Sequence, residues 1–353
     1  MSSDYVLAVD AGNTKSVVLV ADREGTVLGE AITGPGDIYG ADQPEHAIAV
    51  VLQAVEDALA DAGVLAGDVA AAPCCLAGVD WPEDAELWTA TMRRLFPSAP
   101  LEVRNDGFAL LWCLNPEGVG AAITVGTGPA IAARTPGGDT SYLGFWCQHP
   151  LGGVGLAELA LRAVYLAELG LAQPTALRAA LIEWAGADDV EAMLHSFTRR
   201  GGRGGWGRAA SAARVVLSCA QGGAEVSAAL VGDQARALVD YADAVALRAG
   251  IDLADRPRRG SAAASLTTSG LPTGERWPLA LGGGIVTSDV PVLRDALLAE
   301  VAARLPGAEP VVISSQPAVG ALIGALGLIS PATARSAHPR LVETSRVAPG
   351  GAR

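Results

Sequence analysis

Residues 7–16 read Leu-Ala-Val-Asp-Ala-Gly-Asn-Thr-Lys-Ser, and the fold can be predicted outward from this stretch. Apolar runs at residues 5–9 and 17–21 lie on either side of its polar centre. Such runs are typical of buried strands, and a short polar segment between two of them is typical of a hairpin turn. The chain is therefore predicted to begin with a β-hairpin whose tip is polar.

The tip of this hairpin has the chemistry of a phosphate-binding turn. A glycine at position 12 lets the backbone come close to a ligand. Backbone N–H groups and the side chains beside them can hold phosphate oxygens, and a carboxylate can hold a metal-bound water. The alternative is a polar turn in which the carboxylate caps and the lysine is solvated, and a short motif alone does not decide. The residues concerned are Asp10, Gly12, Asn13, Thr14 and Lys15.

Length, composition and charge limit the kinds of protein to consider. At 353 residues the chain exceeds one ordinary core, so two lobes are expected. Half the residues are apolar, yet no uninterrupted apolar run has the length of a membrane span. A net charge of −13 argues against nucleic acid or an anionic membrane as a partner. The first residues do not resemble a signal peptide, and we expect a cytoplasmic protein.

The cysteines and histidines do not form a recognisable metal motif. There are five cysteines, at positions 74, 75, 113, 147 and 219, and their spacing fits neither CxxC nor a zinc finger. We interpret them as buried free thiols rather than as a metal or redox site. The four histidines are scattered along the chain.

The order of the predicted elements indicates an α/β protein. Three strands come first, and then helices alternate with single strands; this βββαβαβα order is that of a ribonuclease-H-like lobe. The predicted strands are 5–9, 17–21, 27–33, 69–76 and 101–104, and the predicted helices are 44–62, 83–95 and a last one ending near 114.

The same order begins again at residue 120, which indicates an internal duplication. Strands are predicted at 121–125, 130–133 and 142–146, and later at 278–281 and 310–313. We therefore divide the chain into a lobe at 1–117, a second lobe with helical insertions at 118–315, a helix at 316–329 that packs back on the first lobe, and a disordered tail at 330–353, which is rich in Pro, Arg, Ser and Gly. Within the second lobe we also predict a glycine-rich loop at 200–207 and a mobile surface insertion at 253–273.

Several glycine-marked turns occur in a fixed order, and together they resemble a known family. In chain order they are Asp10-x-Gly12-x-Thr14-Lys15, Gly34-Pro35-Gly36-Asp37, Leu76-Ala77-Gly78-Val79-Asp80, Asn105-Asp106, Gly126-Thr127-Gly128, Gly282-Gly283-Gly284 and the closing segment 316–325. With this set the chain resembles the actin/hexokinase/heat-shock-chaperone ATPase superfamily and, within it, the BadF/BadG/BcrA/BcrD ATPase family that includes N-acetylglucosamine kinases. The resemblance covers nearly the whole chain to about residue 328.

The resemblance implies two ribonuclease-H-like lobes that close over ATP, Mg²⁺ and an acceptor, with Asp10 on the metal side. Gly12, Asn13, Thr14 and Lys15 would contact the β- and γ-phosphates, and Gly126, Thr127 and Gly128 would contact them from the opposite lobe. Gly282, Gly283 and Gly284 would lie against adenosine. The alternative for this last turn is a plain connection between a strand and a helix.

Asp106 is the candidate general base. It follows a strand, at the end where the cleft is expected, and a hydroxyl acceptor needs a carboxylate to take its proton. Burial beside Asp10 would oppose the ionisation of both groups unless Mg²⁺ and Lys15 compensate. The alternative is that Asp106 caps the helix that follows it.

The acceptor would face a second group of polar residues. Carbohydrate hydroxyls call for polar side chains beside an aromatic face, although each such residue alone can equally belong to a turn or a cap. The candidates are Asp37, Gly78, Asp80, Trp81 and Asn105.

The chain departs from the family pattern on the acceptor side. Sugar kinases of the family carry an acidic loop resembling LGDEGSG after the GTG turn, whereas residues 148–155 contain neither Asp nor Glu, and Asp37 stands where asparagine is expected. His149 or Gln148 would contact the acceptor instead, and the alternative is that His149 is a surface residue.

Three classes of function remain open at this point. The first is an ATP-dependent kinase acting on a sugar, an amino sugar or a related polyol, which we expect to be a homodimer. The second is an ATPase that activates a partner enzyme. That branch of the family needs cysteines to hold an iron–sulfur cluster, typically with one cysteine close before the GTG turn. The third is a nucleotide- or sugar-binding regulator without turnover.

Overall fold

The computed structural model describes residues 4–200, 206–256 and 276–344, with side chains undescribed at 206–209. Most of the predicted glycine-rich loop at 200–207 and of the predicted insertion at 253–273 lies outside the described residues. The described residues form two sheets, one within residues 5–105 and one within residues 120–312.

The first sheet is mixed, with an antiparallel meander followed by parallel strands. Its main path runs β3-β2-β1-β5-β6, and β4 pairs with β1. The predicted strand at 69–76 is in fact two strands, because Pro73 between them has no N–H to donate to a ladder. The elements of this lobe are β1 (Tyr5–Ala11), β2 (Ser16–Asp22), β3 (Val27–Thr33), α1 (Pro44–Ala62), β4 (Val69–Ala71), β5 (Cys74–Leu76), α2 (Pro82–Leu95), β6 (Val103–Asn105) and α3 (Ala109–Leu114).

The second sheet repeats the order of the first. It runs β11-β10-β7-β8-β9, which matches β6-β5-β1-β2-β3 position by position. Its strands are β7 (Gly120–Val125), β8 (Pro129–Arg134), β9 (Thr140–Tyr142), β10 (Trp277–Gly282) and β11 (Ala308–Val312). The predicted fold class, two ribonuclease-H-like lobes with an internal duplication, is therefore confirmed. The strand predicted at 142–146 ends at Tyr142, because Gly144 turns the chain with a φ of +46° into a short 3₁₀ helix at Gly144–Trp146.

Six helices are described in the second lobe, and they share one hydrophobic core with its sheet. They are α4 (Gly152–Glu168), α5 (Leu177–Ala185), α6 (Val190–Thr198), α7 (Trp206–Gln221), α8 (Glu225–Ala249) and α9 (Val292–Arg304). Within the described ranges, no single helix is both long and apolar enough to cross a membrane; α7 and α8 meet the length and composition criteria only as a pair that is bent by 114°.

Alternation along the strands divides the core into layers. On β1, Leu7 and Val9 face α1 and α2, while Val6 and Ala8 face α3 and a later helix, α10 (Pro317–Ile329). Ala122, Ala132 and Ala280 of the second sheet bury against the same two helices. The two sheets therefore share a central layer formed by α3 and α10.

The C-terminal segment is ordered where the sequence predicts a disordered tail. Residues Pro331–Thr344 form a helix, α11, that packs on α10. Ala334, Ala337 and Leu341 lie on one face of it and are buried, because their spacing follows the helical period. The expectation of disorder over these residues is wrong, and the rest of the predicted tail, 345–353, lies outside the described residues.

None of the five cysteines forms a disulfide, and the prediction that they are buried is confirmed for three of them. Cys74, Cys75 and Cys113 are buried, whereas Cys147 and Cys219 are only half-buried. Within the described ranges, no group of three or more His, Cys, Asp or Glu residues is arranged to hold a metal ion by itself.

Candidate active site between the lobes

The parallel register of the first sheet brings three predicted site residues to one edge. Ala11 of β1 is opposite Leu76 of β5, which is opposite Asn105 of β6. These strands end together, so Asp10, the turn after Leu76 and the Asn105-Asp106 pair all lie at their carboxyl ends. In open α/β sheets this edge is where ligands bind.

The tips of the two hairpins, one from each lobe, meet across the cleft. The hydroxyl oxygens of Thr14 and Thr127 are 2.5 Å apart. A Cβ built on Gly128 would lie 4.0 Å from the side-chain nitrogen of Asn13. The turns at residues 12–15 and 126–128 therefore border one shared crevice.

Four glycines at this crevice have no structural reason to be glycine. A Cβ added at Gly12, Gly126 or Gly128 would meet protein atoms no closer than 3.7 Å, and at Gly284 it would meet nothing within 4 Å. Their φ angles also lie outside the left-handed region. A glycine that neither packing nor backbone conformation requires is typical of a place where a ligand approaches the backbone. These positions fit the phosphate-holding role that the sequence suggests.

The other two glycines of the predicted adenosine turn do have structural reasons. At Gly283, with a φ of +89°, a Cβ would come within 2.6 Å of the Val125 backbone, and at Gly282 it would press on Leu110. These two positions fit the alternative, a tight connection after β10. Gly284 alone faces open space.

The first turn of α4 supports the 126–128 turn from behind. The N–H groups of Gly153 and Val154 donate to the carbonyl oxygens of Gly126 and Thr127 at 2.9 and 3.0 Å. Gly152, with a φ of +75°, is so close that a Cβ would lie 2.6 Å from the Cα of Gly128. Sequence reasoning missed this contact, although the glycines of residues 152–155 were its visible signal.

Asn105, not Asp106, caps the helical turn that follows β6. The Asn105 side-chain oxygen accepts from the N–H of Gly107 at 3.0 Å, and its amide nitrogen donates to Asp80 at 3.1 Å. Asp106 is half-buried, and burial together with the negative charge of Asp10 raises the pKa of its carboxyl group to about 8. The capping role, which was the alternative for Asp106, is therefore filled by Asn105.

The position and environment of Asp10 suit a carboxylate that holds a metal ion. Burial raises the pKa of its carboxyl to about 7, and the positive charge of Lys15 partly offsets this effect. Mg²⁺ is usually bound through one or two carboxylates, water and substrate phosphates rather than by an all-protein cage. One half-buried carboxylate next to the crevice bordered by the turns at 12–15 and 126–128 fits that pattern.

Asp37 and Asp80 lie together at the side of the same edge. Asp37 contacts Gly78, whose φ is +74°, and a Cβ at Gly78 would collide with the Asp37 carboxylate. Asp80 accepts at its carbonyl from the Tyr142 hydroxyl at 2.9 Å, so it links the first lobe to the second. Burial and the charge of Asp37 raise the pKa of the Asp80 carboxyl to about 6.

Three exposed aromatic rings stand beside these carboxylates. Phe145 of the second lobe meets Tyr39 edge-on, with ring centroids 4.9 Å apart, and stacks near Trp81 at 6.4 Å. Trp81 was predicted from the sequence, whereas Tyr39 and Phe145 were not. Their only signal was proximity in sequence to Asp37 and to the altered loop.

His149 contacts α8 rather than the group formed by Asp37 and Asp80. Its ring nitrogen Nδ1 is 2.8 Å from the hydroxyl of Tyr241 on α8, and the same hydroxyl accepts from the N–H of Gln148. These bonds attach the altered loop to the second lobe. The described contacts do not bring His149 against Asp37 or Asp80.

A cavity of about 380 Å³ opens elsewhere, beside Trp112 and Arg134. None of the predicted site residues lines it. The candidate site is thus the crevice between the lobes, and this cavity is a separate feature.

Comparison with known proteins shows which solved structures share this fold. No protein-family model matches the chain, and no curated protein matches it. A solved structure of a candidate N-acetylglucosamine kinase from Chromobacterium violaceum is 23% identical over 90% of this chain and 98% of that one, with a TM-score of 0.63. A candidate N-acetylglucosamine kinase from Porphyromonas gingivalis is 17% identical over 92% and 99%, with a TM-score of 0.62.

A third match is a ROK family glucokinase from Streptomyces griseus, solved with glucose and AMPPNP. It is 18% identical over 92% of this chain and 98% of that one, with a TM-score of 0.54. At such identities the matches establish the fold and no more. The chain has the two-lobed actin-like ATPase fold of these sugar kinases, in agreement with the resemblance found in the sequence.

Proposed function

We propose that the protein is an ATP-dependent kinase that transfers the γ-phosphoryl group to a hydroxyl of a sugar or amino sugar. The observation that carries this proposal is the meeting of the two hairpin turns at Thr14 and Thr127, beside the edge that holds Asp10 and Asp106. The shared fold with sugar kinases supports it.

In this proposal the hairpin turns bind and orient the nucleotide. The Lys15 ammonium and the hydroxyls of Thr14 and Thr127 hold phosphate oxygens, and the open glycine positions let backbone N–H groups approach them. Asp10 would hold Mg²⁺ through water. When bound, Mg²⁺ neutralises charge on the phosphate oxygens as the phosphoryl group is transferred.

Asp106 acts as the general base. Its carboxylate takes the proton of the acceptor hydroxyl as the new O–P bond forms and the bond to the leaving ADP oxygen breaks. A pKa of about 8 gives the Asp106 carboxylate a much greater proton affinity than an ordinary aspartate has. This raised affinity suits a base that works near neutral pH.

The decisive experiment measures ADP release with a panel of sugars and amino sugars, in the parent protein and in Asp106→Asn. Because the substitution keeps the shape but removes the base, turnover should fall by about 10²–10⁴-fold. Binding of a non-hydrolysable ATP analogue should remain. Retained turnover in Asp106→Asn would refute the role of the base.

A regulator without turnover is the second candidate. The observation that favours it is the loop at residues 148–155, which has no acidic residue and whose His149 bonds to Tyr241. Tight binding of a sugar and a nucleotide by the parent protein, with no ADP release for any acceptor, would establish this alternative.

The partner-activating ATPase is not favoured by the cysteines. Cys113 is buried, and its Sγ donates to the carbonyl of Gln316. A buried thiol with an internal partner does not favour the cysteine ligation that an iron–sulfur cluster requires. The predicted homodimer remains a prediction, which sedimentation analysis of the full chain would test.

A further inference from the structure

The acceptor side of the crevice carries an excess of carboxyl groups. Asp37, Asp80 and Asp106 are half-buried, and Asp84 beside them is buried. In the described part of the chain, the charged groups that shift the pKa values of the first three are all carboxylates. Lys15, in contrast, acts on Asp10 at the phosphate end.

The hydrogen-bond partners of these carboxylates are neutral. Asp37 accepts from the N–H of Tyr39 at 2.9 Å, and Asp80 accepts from the Asn105 amide at 3.1 Å. Neutral donors satisfy oxygen lone pairs without supplying a countercharge. A neutral polyol in the site would add more donors of the same kind, whereas an ammonium group would add donors and a positive charge together.

The aromatic rings are an independent observation that favours a cation with an apolar body. Tyr39, Trp81 and Phe145 are 50%, 45% and 48% exposed, so each residue keeps accessible surface beside its ring contacts with the others. Aromatic faces attract ammonium groups and pack on the C–H face of a sugar ring. Arg248 is held against a different ring, that of Trp146, at 5.2 Å.

We infer that the acceptor carries a protonated amine, as an amino sugar or an aminocyclitol does. Its ammonium group would lie between Asp37 and Asp80, and its ring would lie against Trp81 and Phe145. This inference rests on the proposed function and narrows the class of acceptor. An N-acetylated sugar would bring a neutral amide to the place where the positive charge is needed.

The experiment compares matched acceptors in the ADP-release assay at saturating ATP and Mg²⁺. Glucosamine, galactosamine, mannosamine, 3-amino-3-deoxyglucose and 2-deoxystreptamine are each tested beside the neutral parent and the N-acetyl derivative. For the best amine, kcat/KM should exceed that of both matched compounds by about tenfold or more. A neutral or N-acetyl compound that is preferred throughout would overturn the inference and leave the proposed kinase standing.

Asp37→Asn removes one charge without changing the size of the side chain. It should reduce the preference for the amine over its neutral parent by about tenfold, while binding of an ATP analogue is retained and shows that the variant is folded. Asp57→Asn, an exposed aspartate on α1, is the matched control and should keep the preference. An unchanged preference in Asp37→Asn would overturn the inference, and a failure of every acceptor in the parent protein would instead overturn the proposed function.

Discussion

The hydroxyls of Thr14 and Thr127, 113 residues apart in the chain, meet at 2.5 Å across the crevice between the lobes. Each lies at the tip of the first hairpin of its own lobe, so the contact joins equivalent positions of the two repeats. A duplicated hairpin turn thus supplies both sides of one crevice, and in the proposed function its opposed hydroxyls would share a phosphate group.

Removing either hydroxyl should weaken nucleotide binding. We expect Thr14→Val and Thr127→Val each to raise the Kd of a non-hydrolysable ATP analogue by about tenfold, because a hydrogen bond to a charged group is worth about 1.5–3 kcal/mol. Calorimetric titration would measure both and the double variant, whose effect should be less than the sum if the hydroxyls serve the same phosphate group. Thr198→Val, on an exposed turn of α6, is the control that should bind normally.

The glycines of the crevice should divide into two groups when they are replaced by alanine. Gly128→Ala has room in the protein and should leave the free energy of unfolding within about 0.5 kcal/mol of the parent, yet impair analogue binding. Gly283→Ala would meet the Val125 backbone at a positive φ and should lower stability by about 1–3 kcal/mol. Chemical denaturation and analogue titration test both, and normal binding by a folded Gly128→Ala would contradict the phosphate-holding role.

Those parts of the site that local patterns determine could be predicted from the sequence. The placement of Asp10 and Asp106 at this edge was predicted because Asp10 ends an apolar run and Asp106 directly follows a predicted strand, and parallel strands bring their carboxyl ends to one edge. The order of strands in both sheets followed from the repeated alternation of strands and helices.

Contacts between the lobes could not be predicted in this way. Phe145 meets Tyr39 only because the lobes face each other, and no periodicity in either segment records that arrangement. The role of Asn105 as the cap depended on a backbone geometry that favours it over its neighbour Asp106. For α11, a composition rich in Pro, Arg and Ser concealed a short apolar stripe that only its contact with α10 makes significant.

The rate of phosphate transfer should depend on the ionisation of Asp106. Only the ionised Asp106 carboxyl can act as a base, and its raised pKa of about 8 means that the ionised fraction increases over the range below that value, so kcat/KM for the acceptor should rise as the pH is raised from 6 towards 8. Mg²⁺ and a cationic acceptor would move the midpoint to lower pH, since both favour the ionised form. The residual rate of Asp106→Asn should not rise with pH in this way. An equal rise in that variant would assign the titration to another group.

The helix α11 should contribute to stability, which a disordered segment would not do. The Leu341 side chain is 2% exposed, and Leu341→Ala should lower the free energy of unfolding by about 2–4 kcal/mol through lost burial and the cavity left behind. Glu343→Ala, on the exposed face of the same helix, is the matched control and should change it by less than about 0.5 kcal/mol. Urea denaturation of the full chain measures both, and equal stability of the two variants would mean that the stripe formed by Ala334, Ala337 and Leu341 does not hold the helix against α10 in solution.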